Sequence, residues 1–88
     1  MSRDVKFTPK AFDDFWYWHS QDKKVLKRIY QIIEDIQRNG YHGIGKPEPL
    51  KGNLSGYWSK RINSADRLVF RIIDETVEIY QCRGHYDD

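Results

Sequence analysis

The side chains best suited to chemistry lie in the middle of the chain and at its C-terminal end. Glu48 stands between two prolines in the sequence Lys-Pro-Glu-Pro, and Arg61 and Arg67 follow it. His85 lies near the end of the chain. A carboxylate, two guanidinium groups and an imidazole can together act on a phosphate, because they supply a base, fixed positive charge and a group that titrates near neutral pH.

Cleavage of RNA without a metal ion needs those three functions. A base removes the proton from the ribose 2′-OH, cations stabilise the phosphorane-like transition state, and an acid protonates the leaving 5′-oxygen. Glu48 is the candidate base and His85 the candidate acid. Arg61 and Arg67 are candidate phosphate clamps, since a guanidinium stays charged and bonds two phosphate oxygens at once. The residues alone leave a plainer interpretation open, in which Glu48 is a loop carboxylate and His85 an exposed side chain.

Positive charge is concentrated around these candidates. The 88 residues carry 15 lysines and arginines against 13 acids, a formal net charge of +2. Between positions 46 and 71 only Glu48 and Asp66 are acidic, whereas six residues are basic: Lys46, Lys51, Lys60, Arg61, Arg67 and Arg71. A local cationic face suggests a polyanionic partner, such as RNA, DNA or an acidic peptide. An ordinary solvated surface is the alternative.

Other classes of site find little support in the sequence. Cys82 is the only cysteine, so no internal disulfide can form, and we expect it to be a small core residue. The histidines are scattered, and residues 43–46 lack the Gly-Lys-Ser/Thr ending of a P-loop. No apolar run reaches the roughly 20 residues that span a bilayer, and no signal peptide is recognisable. We therefore expect one cytoplasmic, soluble domain over residues 1–88, with no metal or cofactor.

Two amphipathic helices are predicted before the candidate residues. Thr8 can cap the first, with Pro9 at its first position, and its buried side is expected to hold Ala11, Phe12, Phe15, Trp16 and Trp18. Asp22 can cap the second, whose apolar face recurs at three- and four-residue steps: Leu26, Ile29, Tyr30, Ile33 and Ile36. The pair Asn39-Gly40 is typical of a helix end.

Strands are predicted on both sides of these helices. Residues 5–8 alternate apolar and polar side chains, and residues 57–62, 67–73 and 77–83 are expected to form an antiparallel meander. The loop 40–49 is rich in glycine and proline, so no regular structure is expected there.

Side-chain alternation along these strands places the two arginines together. Arg61 and Arg67 are expected to project from the open sheet face, opposite the face that packs on the helices. Lys60 alternates with Arg61, so we expect its stem on the apolar face and its ammonium group in water at the sheet edge. The last strand is ambiguous, because neither of its faces is uniformly apolar.

Several motifs in this sequence resemble one known family. The segments that carry the resemblance are residues 13–18 (DDFWYW), 45–51 (GKPEPLK), 53–59 (NLSGYWS), 67–70 (RLVF) and 82–86 (CRGHY). The chain resembles the YoeB toxins, which lie within the wider RelE-like family of bacterial toxin–antitoxin mRNA interferases. The resemblance covers nearly the whole chain.

The resemblance implies both a fold and an activity. The fold is an α+β, RelE-like one, with a mostly antiparallel sheet and two N-terminal helices packed on one face. The activity is cleavage of mRNA in the ribosomal A site, an endoribonuclease reaction without a metal. The 2′-OH is then the nucleophile and a 2′,3′-cyclic phosphate the product.

The resemblance also implies a role for each candidate residue. Glu48 resembles the general base, His85 the general acid and Arg67 the transition-state arginine. Tyr86 resembles the tyrosine that helps to place the scissile nucleotide. Three further positions resemble electrostatic or RNA-binding residues: Lys46, Lys51 and Arg61.

Partners follow from the same resemblance. A toxin must be held inactive, which implies a cognate, YefM-like antitoxin whose disordered segment folds against this domain. Operator DNA would be bound only through the antitoxin, homodimerisation is a further expectation, and no membrane is involved.

The C-terminal end departs from the family pattern. Family members often stop at the tyrosine, whereas this chain continues with Asp87 and Asp88. Two carboxylates beside His85 are expected to favour its charged imidazolium and so to shift the pH dependence of activity. Gly84 stands where a bulkier residue is common and is expected to loosen this segment.

Two other functions remain as alternatives. One is a non-catalytic toxin of the same fold that binds a protein target, as the ParE-like gyrase inhibitors do. The other is a plain RNA-binding module. Glu48 and His85 argue against both, because neither function needs a base and an acid.

Overall fold

The computed structural model describes residues 2–86, in which two helices pack on a five-stranded sheet. The helices are α1, Pro9–Gln21, and α2, Lys23–Asn39. The strands are β1, Asp4–Phe7; β2, Glu48–Pro49; β3, Trp58–Arg61; β4, Arg67–Ile73; and β5, Thr76–Gln81. Their order is β1-β5-β4-β3-β2, with β1 parallel to β5 and the other pairs antiparallel. The expected α+β fold, with a mostly antiparallel sheet and the meander β3-β4-β5, is confirmed.

The helix ends are as predicted. The Thr8 hydroxyl accepts a hydrogen bond from the Ala11 amide at 3.2 Å and donates one to the Tyr80 carbonyl at 3.1 Å. The first bond caps α1 and the second fixes the helix start to β5. The Asp22 carboxylate caps α2, and Gly40 ends it with a φ of +68°.

The main core lies between the helices and one face of the sheet. It joins the buried helix residues Ala11, Ile29, Ile32, Ile33 and Ile36 to sheet residues that include Leu68, Phe70, Val77 and Ile79. Three aromatic residues predicted to be buried are instead exposed: Phe12 by 57%, Trp16 by 63% and Tyr30 by 62%. Each helix turns only one narrow stripe to the sheet, and these three side chains lie outside it.

The opposite face of the sheet is partly covered, so the expected open face is wrong in part. Leu50, Leu54 and Val69 form a second buried cluster against Tyr57, Tyr80 and Tyr86. A single 3-10 turn, Gly52–Leu54, brings the chain over this face.

A β-bulge explains why the last strand was ambiguous. Phe70 pairs with Ile79 and Val69 with Gln81, so Tyr80 is the extra residue. Tyr80 packs in the second cluster, and Gln81 pairs with Val69 of that same cluster, so two successive residues lie towards one face. Strict alternation therefore fails within β5.

The prediction of an irregular loop over residues 40–49 is wrong at its end. Glu48–Pro49 forms the edge strand β2, with Glu48 opposite Ser59 and Pro49 opposite Trp58. A proline is tolerated there because an edge strand leaves one side of its backbone without a partner.

Cys82 connects α1 to the start of the C-terminal segment. Its amide donates to the Asp14 carboxylate at 3.1 Å, and its carbonyl accepts from the Trp18 indole at 2.9 Å. The side chain is fully buried, as predicted, and this burial raises the thiol pKa to about 12. The chain therefore leaves β5 from a fixed point.

The prediction that the Lys60 ammonium group lies in water at the sheet edge is wrong, because the residue is 0% exposed. Its ammonium group donates to the Asp35 carboxylate at 3.0 Å and to the His42 carbonyl at 2.6 Å. The prediction fails because α2 and the following loop cover this part of β3 and bring their own acceptors to the ammonium group.

Asp35 fixes the loop between α2 and β2. Its carboxylate accepts hydrogen bonds from Lys60, from the Asn39 amide at 2.7 Å and from the Ile44 backbone at 3.0 Å. Burial alone would raise the pKa of Asp35, but these bonds and the charge of Lys60 outweigh it and hold the pKa below 3.8. A Cβ on Gly43, whose φ is +97°, would overlap the carboxylate, so the loop passes directly over it.

In the described part of the chain, no helix combines the length and apolar character needed to cross a membrane.

The buried pair predicts strong coupling between two substitutions. Asp35→Asn should lower the free energy of unfolding by about 3 kcal/mol, because it leaves the Lys60 charge buried without a counter-ion. Lys60→Met should have a smaller effect, since Asp35 keeps its bonds to Asn39 and Ile44. The double variant should lose less than the sum, measured by urea unfolding at fixed protein concentration. Glu34→Gln, in an exposed pair with Arg38, is the control; additive losses at Asp35 and Lys60 would contradict the coupling.

Stability should also depend on pH through Asp35. Because its folded pKa lies below the unfolded value of 3.8, its contribution is complete well above that pH and is lost as the pH falls through the folded pKa. The wild type should therefore lose more unfolding free energy between about pH 5 and pH 3 than the Asp35→Asn, Lys60→Met double variant. Urea unfolding across this range measures the difference, and a constant gap between the two proteins would exclude the effect.

Candidate functional site

One open groove of about 430 Å³ lies where β2, β3, β4 and the C-terminal segment meet. Its lining brings together six of the seven predicted site residues: Lys46, Glu48, Arg61, Arg67, His85 and Tyr86. Lys51 does not line it. That residue is exposed and precedes the 3-10 turn, where the chain has already left the groove to cover the second cluster.

Glu48 is held from two directions. Its backbone lies on β2 opposite Ser59, which is buried and also lines the groove. Its carboxylate accepts a hydrogen bond from the Tyr86 hydroxyl at 3.1 Å. A residue from the loop side and a residue from the C-terminal end therefore meet at this carboxylate, although the side chain stays exposed to solvent.

Arg61 and Arg67 both line the groove, as expected from side chains on the same face of the sheet, and they stand directly opposite each other across the β3-β4 pair. Like charges in this position destabilise a sheet, so folding gives no reason for the pair. Within residues 2–86 neither side chain forms a salt bridge with a carboxylate. Arg67 instead donates to the backbone carbonyls of Asn63 at 2.8 Å and Asp66 at 3.1 Å. The two guanidinium groups leave strong positive charge at the groove.

The C-terminal segment is fastened to the turn between β3 and β4. The Gly84 amide donates to the Asp66 carboxylate at 2.7 Å, and the Gly84 carbonyl accepts from the Arg67 amide at 3.0 Å. Gly84 has a φ of +79°, which favours glycine over a bulkier residue. The expectation that Gly84 loosens the segment is wrong for its backbone, which is bonded on both sides. Asp87 and Asp88, with their expected influence on His85, lie outside the described residues.

Two residues near the end of the segment complete the groove. The His85 and Tyr86 rings stack with centroids 4.8 Å apart, and the His85 imidazole is exposed. The buried Gln81 amide donates to the His85 carbonyl at 3.2 Å and to the Arg83 carbonyl at 3.4 Å. Gln81 therefore holds the backbone that carries the imidazole.

Sequence reasoning missed two residues that shape the groove. Ser59 could have been found from its alternation with Arg61, since both side chains lie on the same face of β3. Gln81 could not have been found in this way, because the bulge in β5 changes the face to which its side chain points.

The backbone of Lys46, one of the predicted site residues, has a φ of +49°. This conformation is uncommon for a residue with a side chain, and such strain often marks functional sites.

The groove combines the groups that acid–base chemistry on a phosphate needs. A carboxylate and an imidazole line it together with two guanidinium groups and one ammonium group. Among residues 2–86, no group of three or more His, Cys, Asp or Glu side chains is arranged to hold a metal ion.

Comparisons with known proteins identify the family. Residues 7–86 match the family model described as the YoeB-like toxin of bacterial type II toxin–antitoxin systems. The Toxin YoeB of Mycobacterium bovis is 50% identical over 84 residues, which cover 96% of this chain and 99% of that protein.

Two solved structures from Staphylococcus aureus show the same fold. A chain of a YoeB-YefM complex is 44% identical with a TM-score of 0.89, covering 98% of this chain and 100% of its own. A chain of a YoeB dimer is 45% identical with a TM-score of 0.90 and the same coverage. The expected RelE-like fold is thus confirmed. From the family match and these full-length similarities, the chain belongs to the YoeB-like toxins of bacterial type II toxin–antitoxin systems.

Proposed function

We propose that this toxin is an endoribonuclease that cleaves mRNA in the ribosomal A site and so stops translation. The observation that carries the proposal is the single groove that Glu48, Arg61, Arg67 and His85 line together. These residues are far apart in sequence, and a protein that only blocked a target would need no base and acid facing the same cationic groove. Membership of the YoeB-like toxins supports the same assignment.

In the proposed reaction, the protein's own side chains carry both protons. The Glu48 carboxylate removes the proton from the ribose 2′-OH, and the 2′-oxygen attacks the adjacent phosphorus. The bond from phosphorus to the 5′-oxygen breaks, and His85 in its imidazolium form gives that oxygen a proton. The products are a 2′,3′-cyclic phosphate and a free 5′-hydroxyl, and no metal takes part.

Arg61 and Arg67 stabilise the transition state in this mechanism. Negative charge accumulates on the non-bridging phosphate oxygens as the 2′-oxygen attacks, and preorganised cations lower the energy of that state most. The two guanidinium groups repel each other in the free protein, so a bound phosphate relieves an unfavourable interaction that is already present. Lys46, which also lines the groove, adds further positive charge.

Tyr86 has two tasks in the proposal. Its hydroxyl orients the Glu48 carboxylate at 3.1 Å, and its ring provides a surface against which the scissile nucleotide can stack. The stacked His85 ring, 4.8 Å away, is kept at the same end of the groove.

We further propose a YefM-like antitoxin and a second copy of the toxin as partners. The YoeB relative from S. aureus occurs both in a complex with YefM and as a dimer. The exposed Phe12 and Trp16 are one turn apart on α1 and give this chain an apolar surface that a protein partner can cover. Operator DNA would be bound through the antitoxin.

Removing the base or the acid should nearly abolish cleavage. Glu48→Gln and His85→Gln should each reduce the cleavage rate by about 10²- to 10⁴-fold, because each removes one proton transfer. In vitro translation followed by primer extension on the mRNA measures the rate. Glu34→Gln and His42→Gln make the same substitutions at sites outside the groove and should cleave like the wild type.

The outcome also distinguishes the alternatives. Folded Glu48→Gln and His85→Gln proteins that cleave at the wild-type rate would refute these assignments. Translation arrest with intact mRNA would refute the nuclease, and arrest through inhibited gyrase would establish the protein-binding alternative.

Tyr86 should tolerate loss of its hydroxyl better than loss of its ring. Tyr86→Phe removes one hydrogen bond to Glu48 and should reduce cleavage by about three- to tenfold. Tyr86→Ala also removes the stacking surface and should reduce it by a further tenfold or so. Single-turnover cleavage on programmed ribosomes compares the two variants. Equal losses would show that the ring provides no stacking surface and that the hydroxyl accounts for the whole effect.

A further inference from the structure

A second groove continues the first along the end of the sheet. It has a volume of about 450 Å³ and is lined by Arg28, Gly45, Lys46, Arg61, Ile62, Asn63 and Ser64. Lys46 and Arg61 line both grooves, so the two are adjacent and share a cationic boundary. The volume lies in the range of sites that hold a small organic ligand, about 300–1,000 Å³.

All the charged side chains that line this second groove are positive. Arg28, Lys46 and Arg61 line it and no carboxylate does, whereas the first groove contains Glu48. Within residues 2–86, none of these three cations forms a salt bridge. Three cations without counter-ions around one concavity make a favourable site for an anion.

Arg28 is directed to the groove by its surroundings. It extends from α2 across to the end of β3, where its guanidinium lies 3.5 Å from the Arg61 carbonyl. Two guanidinium-bearing residues from separate elements thus meet at one point, and Arg28 is half-buried there. Sequence alone could not separate Arg28 from Lys23, Lys24 and Lys27, which are exposed on the same helix.

The polar groups at the far side are suited to the same ligand. The side-chain oxygen of Asn63, Oδ1, already accepts from the Ala65 backbone amide at 2.8 Å and the Asp66 backbone amide at 2.7 Å. Its side-chain NH₂ therefore remains as the group that can face a ligand, next to the Ser64 hydroxyl. Donors and cations together match phosphate oxygens and ribose hydroxyls, and an acidic peptide would find no apolar pocket here beyond Ile62.

We infer that the second groove binds the phosphate of the nucleotide next to the scissile one, with Arg28 as its main contact. The inference rests on the proposed endoribonuclease activity. A single RNA strand whose scissile phosphate lies between Arg61 and Arg67 passes the boundary at Lys46 and Arg61 and enters this groove. Arg28 then contributes to binding of the substrate, and the chemical step needs no proton from it.

The test combines a protein change with a substrate change. Wild type, Arg28→Gln and the control Lys27→Gln are compared on ribosomes programmed with mRNA in which one phosphate is replaced by an uncharged methylphosphonate. The cleavage position is first mapped with wild-type protein. The phosphate that is then replaced is the one immediately 5′ or immediately 3′ of the scissile phosphate. Lys27 is the neighbouring exposed base on α2 and lines neither groove.

The contact predicts a non-additive result. Arg28→Gln on normal mRNA, and wild type on mRNA neutralised at one of the two positions, should each cleave about three- to fivefold less well at subsaturating substrate. The two changes together should give no further loss, because they remove the same interaction. Lys27→Gln should leave both rates unchanged.

Other outcomes overturn the inference. Losses that multiply would mean that Arg28 contacts a different group, such as ribosomal RNA, and an unaffected Arg28→Gln would mean that the groove is not used. A wild type that cleaves no mRNA would refute the proposed activity instead. In that case the Arg28 contact is tested by the binding of a short oligoribonucleotide at several salt concentrations. Arg28→Gln should reduce the slope of log affinity against log salt concentration by about 0.7, because one phosphate contact is lost. An unchanged slope would refute the contact.

Discussion

The ion pair between Lys60 and Asp35 is the constraint on which the groove depends. A buried pair adds little net stability, because desolvation offsets most of the attraction between the charges. Its effect here is positional. The ammonium group binds the His42 carbonyl and the carboxylate binds the Ile44 amide, so the loop is held at two points just before Lys46. From there the chain enters β2 in the register that places Glu48 opposite Ser59.

Two adjacent residues of β3, Lys60 and Arg61, point to opposite faces of the sheet. Lys60 points into the core side and anchors the loop, whereas Arg61 points to the groove and supplies charge. The two functions are also joined through the backbone, since the Arg61 amide donates to the Gly45 carbonyl at 2.7 Å. Because Lys60 and Arg61 are neighbours on one strand, the position of the loop and the position of the proposed phosphate clamp are fixed together.

Alternation and helix caps could be predicted from sequence because each depends on neighbouring residues. Thr8, Asp22 and the Arg61–Arg67 pair are examples. The burial of Lys60 could not be predicted from sequence, since it requires acceptors that come from a helix and its following loop. The face on which Gln81 lies could not be predicted either, because a single bulged residue in β5 interrupts the alternation. Predictions failed where a side chain's environment is assembled from distant segments, as at Lys60, or where a bulge interrupts a strand, as at Gln81. Six of the seven predicted site residues nevertheless line the groove.

The three parts of the groove differ in how firmly they are held. Arg61 and Arg67 lie on paired strands, and Glu48 follows a loop anchored by buried charges. The imidazole of His85 is exposed, and its segment beyond Cys82 is held by Gly84, by the side chain of Gln81 and by Tyr86, whose ring packs on the second cluster. The Tyr86 hydroxyl also binds the Glu48 carboxylate, and the Gly84 carbonyl accepts from the Arg67 amide. The segment that carries the proposed acid is therefore bonded to the proposed base and to one of the two arginines, so its position decides whether the groove is complete.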